Sequence, residues 1–217
     1  MHAPVPFQRG LFAAGEPAID ASAVFERRRL DDVSWVDVAR TFLRGADTLF
    51  ERLRDTVPWE QDRRRMYDRM VDVPRLSRWY GDRRLPDGIL ATIQRALEAR
   101  YGVPFRGVGL NYYRDGRDSV ASHRDRELRA LDDTLVALVT LGARRPFLLR
   151  PRAGGPSLDL APASGDLLVM GGGCQARFTH GVPKVAYAGP RISISYRWSP
   201  ALASRQPAPI RSTKLSQ

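Results

Sequence analysis

From Gly107 onward the chain breaks into short runs of β-forming residues, and this pattern limits the fold more than any other feature. The runs Val108–Tyr113, Thr134–Leu141, Pro146–Arg150, Asp166–Met170 and Arg191–Trp198 are separated by clusters of Gly, Pro and Asp. A single short strand cannot bury its apolar face alone, so several of them predict a β-sandwich or barrel. At 217 residues the chain has room for one such domain with an extension.

The first hundred residues carry a different period. Residues 1–20 mix Pro, Gly and Ala without pattern and read as an irregular arm. Val36, Ala39, Phe42, Leu43, Leu49 and Leu53 recur at roughly helical spacing and predict a helix over Val36–Arg54, ended by Pro58. The stretch 63–82, punctuated by Pro74 and Gly81, reads as a short hairpin or loop region. Ile89, Ile93, Ala96 and Leu97 share a helical face over Pro86–Arg100, which Gly102 to Pro104 stops. After Ser199 the tail, with Pro207, Pro209 and Ser212, reads as disordered. The expected organisation is therefore an arm (1–20), a mainly helical extension (21–104), a β core (105–198) and a tail (199–217).

No apolar run approaches the roughly 18 residues of a membrane span, and the first residues lack the basic start and apolar stretch of a secretory signal. Cys174 is the single cysteine, so no internal disulfide is available. A cytoplasmic monomer with no membrane partner is the expectation. Thirty-five Lys and Arg against 24 Asp and Glu give a formal charge of +11, and only Lys184 and Lys214 are lysines. Arginine's planar fork suits phosphate, which points to a polyanion; an arginine-rich genome composition would give the same number.

Two constellations carry chemistry. His123-Arg124-Asp125 is followed far downstream by His180. Two histidines and one carboxylate on one face of an iron ion leave its other positions open, although the same pattern is met by ordinary surface or core histidines. In Arg191-Ile-Ser-Ile-Ser-Tyr-Arg197, strand alternation sets Arg191, Ser193, Ser195 and Arg197 on one face. Two arginines turned into a barrel are costly unless anions pair with them, so a small dicarboxylate would fit, with Asn111 and Tyr113 adding hydrogen bonds. An amphipathic strand with a solvated arginine face is the plainer alternative. Gly171-Gly-Gly173 lacks the Lys-Ser/Thr of a phosphate loop and reads as a tight turn; Cys174 reads as a buried thiol.

Asn111-Tyr-Tyr-Arg-Asp-Gly-Arg-Asp, His123-Arg-Asp125, Leu141-Gly142, Gly165-Asp-Leu-Leu-Val-Met170, His180-Gly-Val-Pro-Lys and Arg191-Ile-Ser-Ile-Ser-Tyr-Arg197 occur in an order and spacing that resemble the AlkB family over about residues 105–198. Val57-Pro-Trp59 and Val73-Pro-Arg-Leu-Ser-Arg-Trp-Tyr-Gly-Asp82 extend the resemblance upstream into a nucleotide-recognition segment. The resemblance implies a double-stranded β-helix, or jelly roll, with a helical and hairpin lid. It implies an enzyme that uses iron(II), 2-oxoglutarate and O2 to remove alkyl groups from DNA or RNA bases, 1-methyladenine and 3-methylcytosine among them. By motif position His123, Asp125 and His180 would bind iron. Arg191, with Tyr113, would take the distal carboxylate of 2-oxoglutarate; Arg197 and Asn111 would face the end nearer the metal, with Ser193 between. Glu127 would contact the base, and Tyr67, Arg75, Trp79 and Tyr80 would belong to the substrate face.

The chain departs from the family pattern in three places. Ser193 stands where Asn is frequent, Ser122 stands where an aromatic often precedes the first metal histidine, and Asp82 runs almost directly into Arg83-Arg-Leu-Pro86, shortening the lid where relatives stack on a flipped base. That shortening leaves two rivals open: a dioxygenase of the same fold acting on a protein or small molecule, and a basic nucleic-acid-binding module without turnover.

Overall fold

The computed structural model describes residues 15–203 except 67 and 82. In chain order it contains β1 (Ala18–Ile19), β2 (Phe25–Arg29), β3 (Ser34–Ala39), β4 (Leu43–Arg44), α1 (Ala46–Thr56), β5 (Arg63–Met66), β6 (Arg69–Asp72), β7 (Leu76–Trp79) and α2 (Gly88–Tyr101). There follow β8 (Arg106–Tyr113), β9 (Val120–His123), β10 (Thr134–Gly142), β11 (Leu148–Pro151), β12 (Leu158–Asp159), β13 (Leu167–Gly172), α3 (Cys174–Arg177), β14 (Phe178–Val182), β15 (Arg191–Trp198) and α4 (Pro200–Ala203).

Two antiparallel sheets make the body of a jelly roll. The larger has the order β2-β3-β13-β10-β15-β8-β7 and the smaller β12-β11-β14-β9. Between them lie Val36, Val38, Val136, Leu138, Leu168 and Met170 from the large sheet and Leu149, Phe178 and Val182 from the small one. The far face of the large sheet carries Val139, Leu141, Ile192, Ile194 and Tyr196, and α1 and α2 cover it with Leu49, Phe50, Leu53, Leu90, Ile93 and Leu97. Alternation along β15 thus divides its side chains cleanly. The isoleucines and Tyr196, whose hydroxyl donates to the Leu90 carbonyl at 3.0 Å, face the helices; Arg191, Ser193, Ser195 and Arg197 face the other sheet.

The α2 helix lies where its periodicity put it. Asp87 caps it by accepting from the Ile89 N–H at 3.0 Å, and Gly102 closes it at φ 69°. The helix expected over Val36–Arg54 is corrected in its first half. Residues 34–39 form β3, paired along its length with β13, Leu167 opposite Ala39 and Gly172 opposite Ser34. Val36 and Val38 fit a period of two while Val36 and Ala39 fit a helical one, and pairing with the neighbouring strand decides between them. Gly45, at φ 64° and with room for no Cβ, turns the chain into α1 at Ala46. With β2 alongside β3, residues 25–39 belong to the large sheet rather than to a helical extension.

Stretch 63–82 is a hairpin, β5 with β6, followed by β7, which pairs with β8. Part of the expected irregular arm is ordered: β1 pairs with β4. Residues 1–14 of that arm lie outside the described residues. The start of the expected disordered tail is α4, and Pro207, Pro209 and Ser212 lie outside the described residues. Among the described residues no helix is long and apolar enough to cross a membrane.

Candidate active site

The register of the small sheet sets His180 of β14 directly opposite His123 of β9. Cross-strand neighbours on one face lie within side-chain reach, and the two imidazole centroids are 4.4 Å apart. Asp125 follows two residues past His123, beyond the end of the strand. Its Oδ1 is 3.5 Å from His123 Nε2 and 3.9 Å from His180 Nε2. One ligand atom from each of the three residues falls within 4.8 Å of the others, a spacing that a single ion would bridge. His123 Nδ1 lies 2.9 Å from the Ala121 carbonyl, which can only accept. A proton on Nδ1 would be met by that carbonyl, and Nε2 faces the carboxylate and the ion position, where it would be free to ligate.

The electrostatics suit a ligand set. Burial alone would raise the Asp125 pKa, but His123, Arg197 and His180 together outweigh it and hold the carboxyl well below the usual range. Burial drives His180 down to about 4, so its imidazole is neutral at neutral pH. Arg197 donates through Nε to Asp125 Oδ2 at 2.7 Å and through Nη1 to Ser195 Oγ at 3.0 Å. Phe147 stacks on His180 at 5.8 Å between ring centroids and 21° between planes.

These groups open into a cleft of about 1140 Å³ whose walls include Arg75, Asn111, Tyr113, Glu127, Ser193 and Arg197. The β8–β15 register places Tyr113 opposite Arg191 and Asn111 opposite Ser193. Arg191 is fully buried and is not part of the cleft lining. Its carbon Cζ lies 5.8 Å from the Tyr113 ring centroid, and Nη2 donates to Thr140 Oγ1 at 3.2 Å. Its Nε and Nη1 have no partner among the described residues, and burial lowers its pKa to about 10. A buried guanidinium with two free donors is costly unless an anion meets it, and a carboxylate has the matching geometry. The donor set therefore fits both an iron ion and a dicarboxylate.

The remaining substrate candidates divide. Arg75 lines the cleft and donates through Nε to Asn111 Oδ1 at 2.8 Å, so Asn111 is already engaged from the lid side. Glu127 is exposed in the turn after Asp125 and lines the cleft. Trp79, 51% exposed, is the cross-strand partner of Gly109, which is also the partner of Ser195. Its indole lies over Gly107 and Gly109, where an added Cβ would collide with it, on the sheet face that leads to Arg197. Tyr80 is corrected: one residue further along it points to the opposite face, is 7% exposed, and packs into the core under α1 and α2. Tyr67 lies outside the described residues.

Three contributors were not singled out from sequence. Phe147 walls the metal pocket. Buried Gln175 of α3 accepts the Asp125 N–H through Oε1 at 3.0 Å. Buried Arg145 donates to the carbonyls of Asp115, Gly116, Asp118 and Pro183, binding two loops near the cleft. Only tertiary contact distinguishes these from other polar residues; an arginine between β runs was the single hint for Arg145.

Residues 43–197 match the 2OG-Fe(II) oxygenase superfamily, and the chain belongs to it. Membership brings iron(II), 2-oxoglutarate and O2 as cofactor and co-substrates. Within that superfamily it is AlkB-like. It is 30% identical over 218 residues to alpha-ketoglutarate-dependent dioxygenase alkB homolog 3 of Bos taurus, a match covering 88% of this chain and 76% of that protein. The human DNA oxidative demethylase ALKBH2 is 28% identical over 190 residues, covering 75% of this chain and 73% of the relative. In fold it is similar to the solved structure of OsALKBH1, with a TM-score of 0.56 at 14% identity, covering 80% of this chain and all of that one.

Proposed function

We propose that this protein oxidatively demethylates N-alkylated bases in DNA or RNA, with 1-methyladenine and 3-methylcytosine as representative substrates. The observation that carries the reading is where its unpaired arginines lie. Away from the cleft several arginines are neutralised locally: Arg27 by Asp37 at 2.7 Å, Arg40 by Asp166 at 2.5 Å, Arg52 by Glu16 at 2.6 Å. Beside the metal cleft Arg197 pairs with Asp125 and Arg63 with Asp72, but a second group of cations has no such partner. Arg124, Arg126, Arg129 and Lys184 line it, and none has an ion pair among the described residues. Arg124 and Arg152 both donate to the Ala176 carbonyl, at 3.4 and 3.0 Å, and the repulsion of Arg152 and Arg129 adds to burial in lowering the Arg124 pKa. Cations crowded together without a counter-charge are a surface for a polyanion.

In this reading His123, Asp125 and His180 hold the iron, and Arg191 takes the distal carboxylate of 2-oxoglutarate beside Tyr113. Arg197, Ser193 and Asn111 line the path toward the metal. Iron held there would let O2 oxidise both partners, one oxygen atom entering N–CH3 to give N–CH2OH and the other entering 2-oxoglutarate as it becomes succinate and CO2; the N–CH2OH group then releases formaldehyde and leaves N–H on the base. Glu127 contacts the base edge. The exposed indole face of Trp79 offers a stacking surface at the rim, where a base–aromatic contact contributes about 1–3 kcal/mol. That surface would offset part of what the shortened lid lacks.

The test is release of formaldehyde and succinate by iron-loaded protein with 2-oxoglutarate and O2, using single-stranded DNA and RNA oligonucleotides with and without one methylated base. Lesion-dependent release of both products is expected. Decay of 2-oxoglutarate that ignores the lesion would transfer the activity to a protein or small-molecule substrate, and absence of turnover would leave a binding module.

A further inference from the structure

We propose that Gln175 is a positioning residue for the metal centre: its side-chain carbonyl sets where Asp125 stands relative to the two histidines. This rests on the metal-binding role of His123, Asp125 and His180 proposed above. The two histidines need no such help, because the β9–β14 ladder opposes them directly. Asp125 lies past the end of β9 and has no ladder partner. Its backbone is held from both sides. The carbonyl accepts from the N–H groups of Leu128 and Arg129 at 3.0 and 2.9 Å, closing the turn that follows. The N–H, which is buried and has to find an acceptor, is met by Gln175 Oε1 at 3.0 Å.

Gln175 is 1% exposed and sits on α3, the single turn that joins β13 to β14 and runs straight into the strand bearing His180. The amide thus ties the segment carrying one ligand to the turn carrying another, across 50 residues of sequence. Its Nε2 has no partner among the described residues, so the acceptor is the half of the amide that is used. Arg197, on the carboxylate's other oxygen, fixes the plane of the side chain but not the height of the backbone beneath it. Partners in this outer position commonly change metal affinity by tenfold or more.

The experiment is titration of metal-free protein with Mn(II), read by the electron paramagnetic resonance of free and bound ion, alongside thermal unfolding without metal. Gln175→Met keeps the length and removes the acceptor; Gln175→Glu keeps the acceptor. Gln175→Met is expected to weaken Mn(II) binding on the order of tenfold, with Gln175→Glu within about twofold of the parent by the same comparison. Equal affinity in Gln175→Met and the parent would overturn the proposal, as would equal weakening in both variants. Should Gln175→Met not fold, Gln175→Asn reads the same contact with the amide held one carbon short, and parental affinity there would overturn it. His123→Ala separates the two levels of the argument. If the parent shows no Mn(II) site that His123→Ala removes, the triad assignment fails; if it does and Gln175 is without effect, only the positioning role fails.

Discussion

An imidazole anchored through Nδ1 beside a backbone carbonyl, an imidazole kept neutral by burial, and a carboxylate held ionised by its neighbours bring three candidate ligand atoms to one point. Because each ligand supplies a separate bond, His123→Ala or Asp125→Ala is expected to abolish turnover and weaken metal binding while oligonucleotide affinity stays within about twofold, since neither makes a phosphate contact; a filter-binding assay beside the turnover assay checks both. The nearby thiol behaves oppositely. Burial pushes Cys174 up to about 12, so a thiol reagent at pH 8 is expected to modify it only after unfolding. Its linkage has a definite sign: above about pH 9 the unfolded chain releases the thiol proton and the folded chain keeps it, so this group costs stability progressively as pH rises from 9 toward 12. The cluster of His123, Asp125 and His180, the inward face shared by Arg191 and Arg197, and the buried thiol were legible because each depends on residue type at fixed spacing. Tyr80 was not, since adjacent aromatics on a strand face opposite ways and only the register says which is outside. Gln175 and Phe147 gain their roles from partners dozens of residues away.

At the scale of elements, the core strands β8, β10, β13 and β15 and the helix α2 were readable from period and punctuation. The mistaken helix shows why β3 was not: Val36, Ala39 and Leu43 keep helical spacing while Val36 and Val38 keep that of a strand, and the pairing with β13, which no local window contains, favours the strand. The loops between strands depend on a buried side chain that sequence gives little sign of. Arg145 satisfies carbonyls of two loops at once, 115–118 and the one after β14. Replacing it by Met strands those carbonyls in a buried site, and a loss on the order of 3 kcal/mol is expected from the missing charged hydrogen bonds. Urea unfolding would measure it, and a midpoint unchanged from the parent would mean the loops hold themselves.

For the whole molecule, the formal charge of +11 said less than its distribution. Several arginines away from the cleft hold local ion pairs, while Arg124, Arg126 and Arg129 line it without one among the described residues. Each phosphate contact to a single strand contributes about 0.7 to the slope of log K against log salt. Removing Arg124 and Arg152 together is therefore expected to flatten that slope by about 1.4, while the Arg27→Ala, Arg28→Ala pair leaves it unchanged. An equal change in both double variants would show that these arginines act through net charge alone.

The superfamily match begins at residue 43, yet the large sheet begins at residue 25. A chain trimmed to the matched segment would lose β2 and β3 and leave β13, whose sequence Leu-Leu-Val-Met-Gly-Gly is apolar and almost wholly buried, as a bare border of unpaired N–H and carbonyl groups. Exposed borders of that kind recruit other chains. The trimmed protein is expected to form oligomers or aggregates that light scattering would detect, although every proposed metal and co-substrate residue would still be present. The first strands thus act as a selvedge, keeping the sheet from fraying into its neighbours.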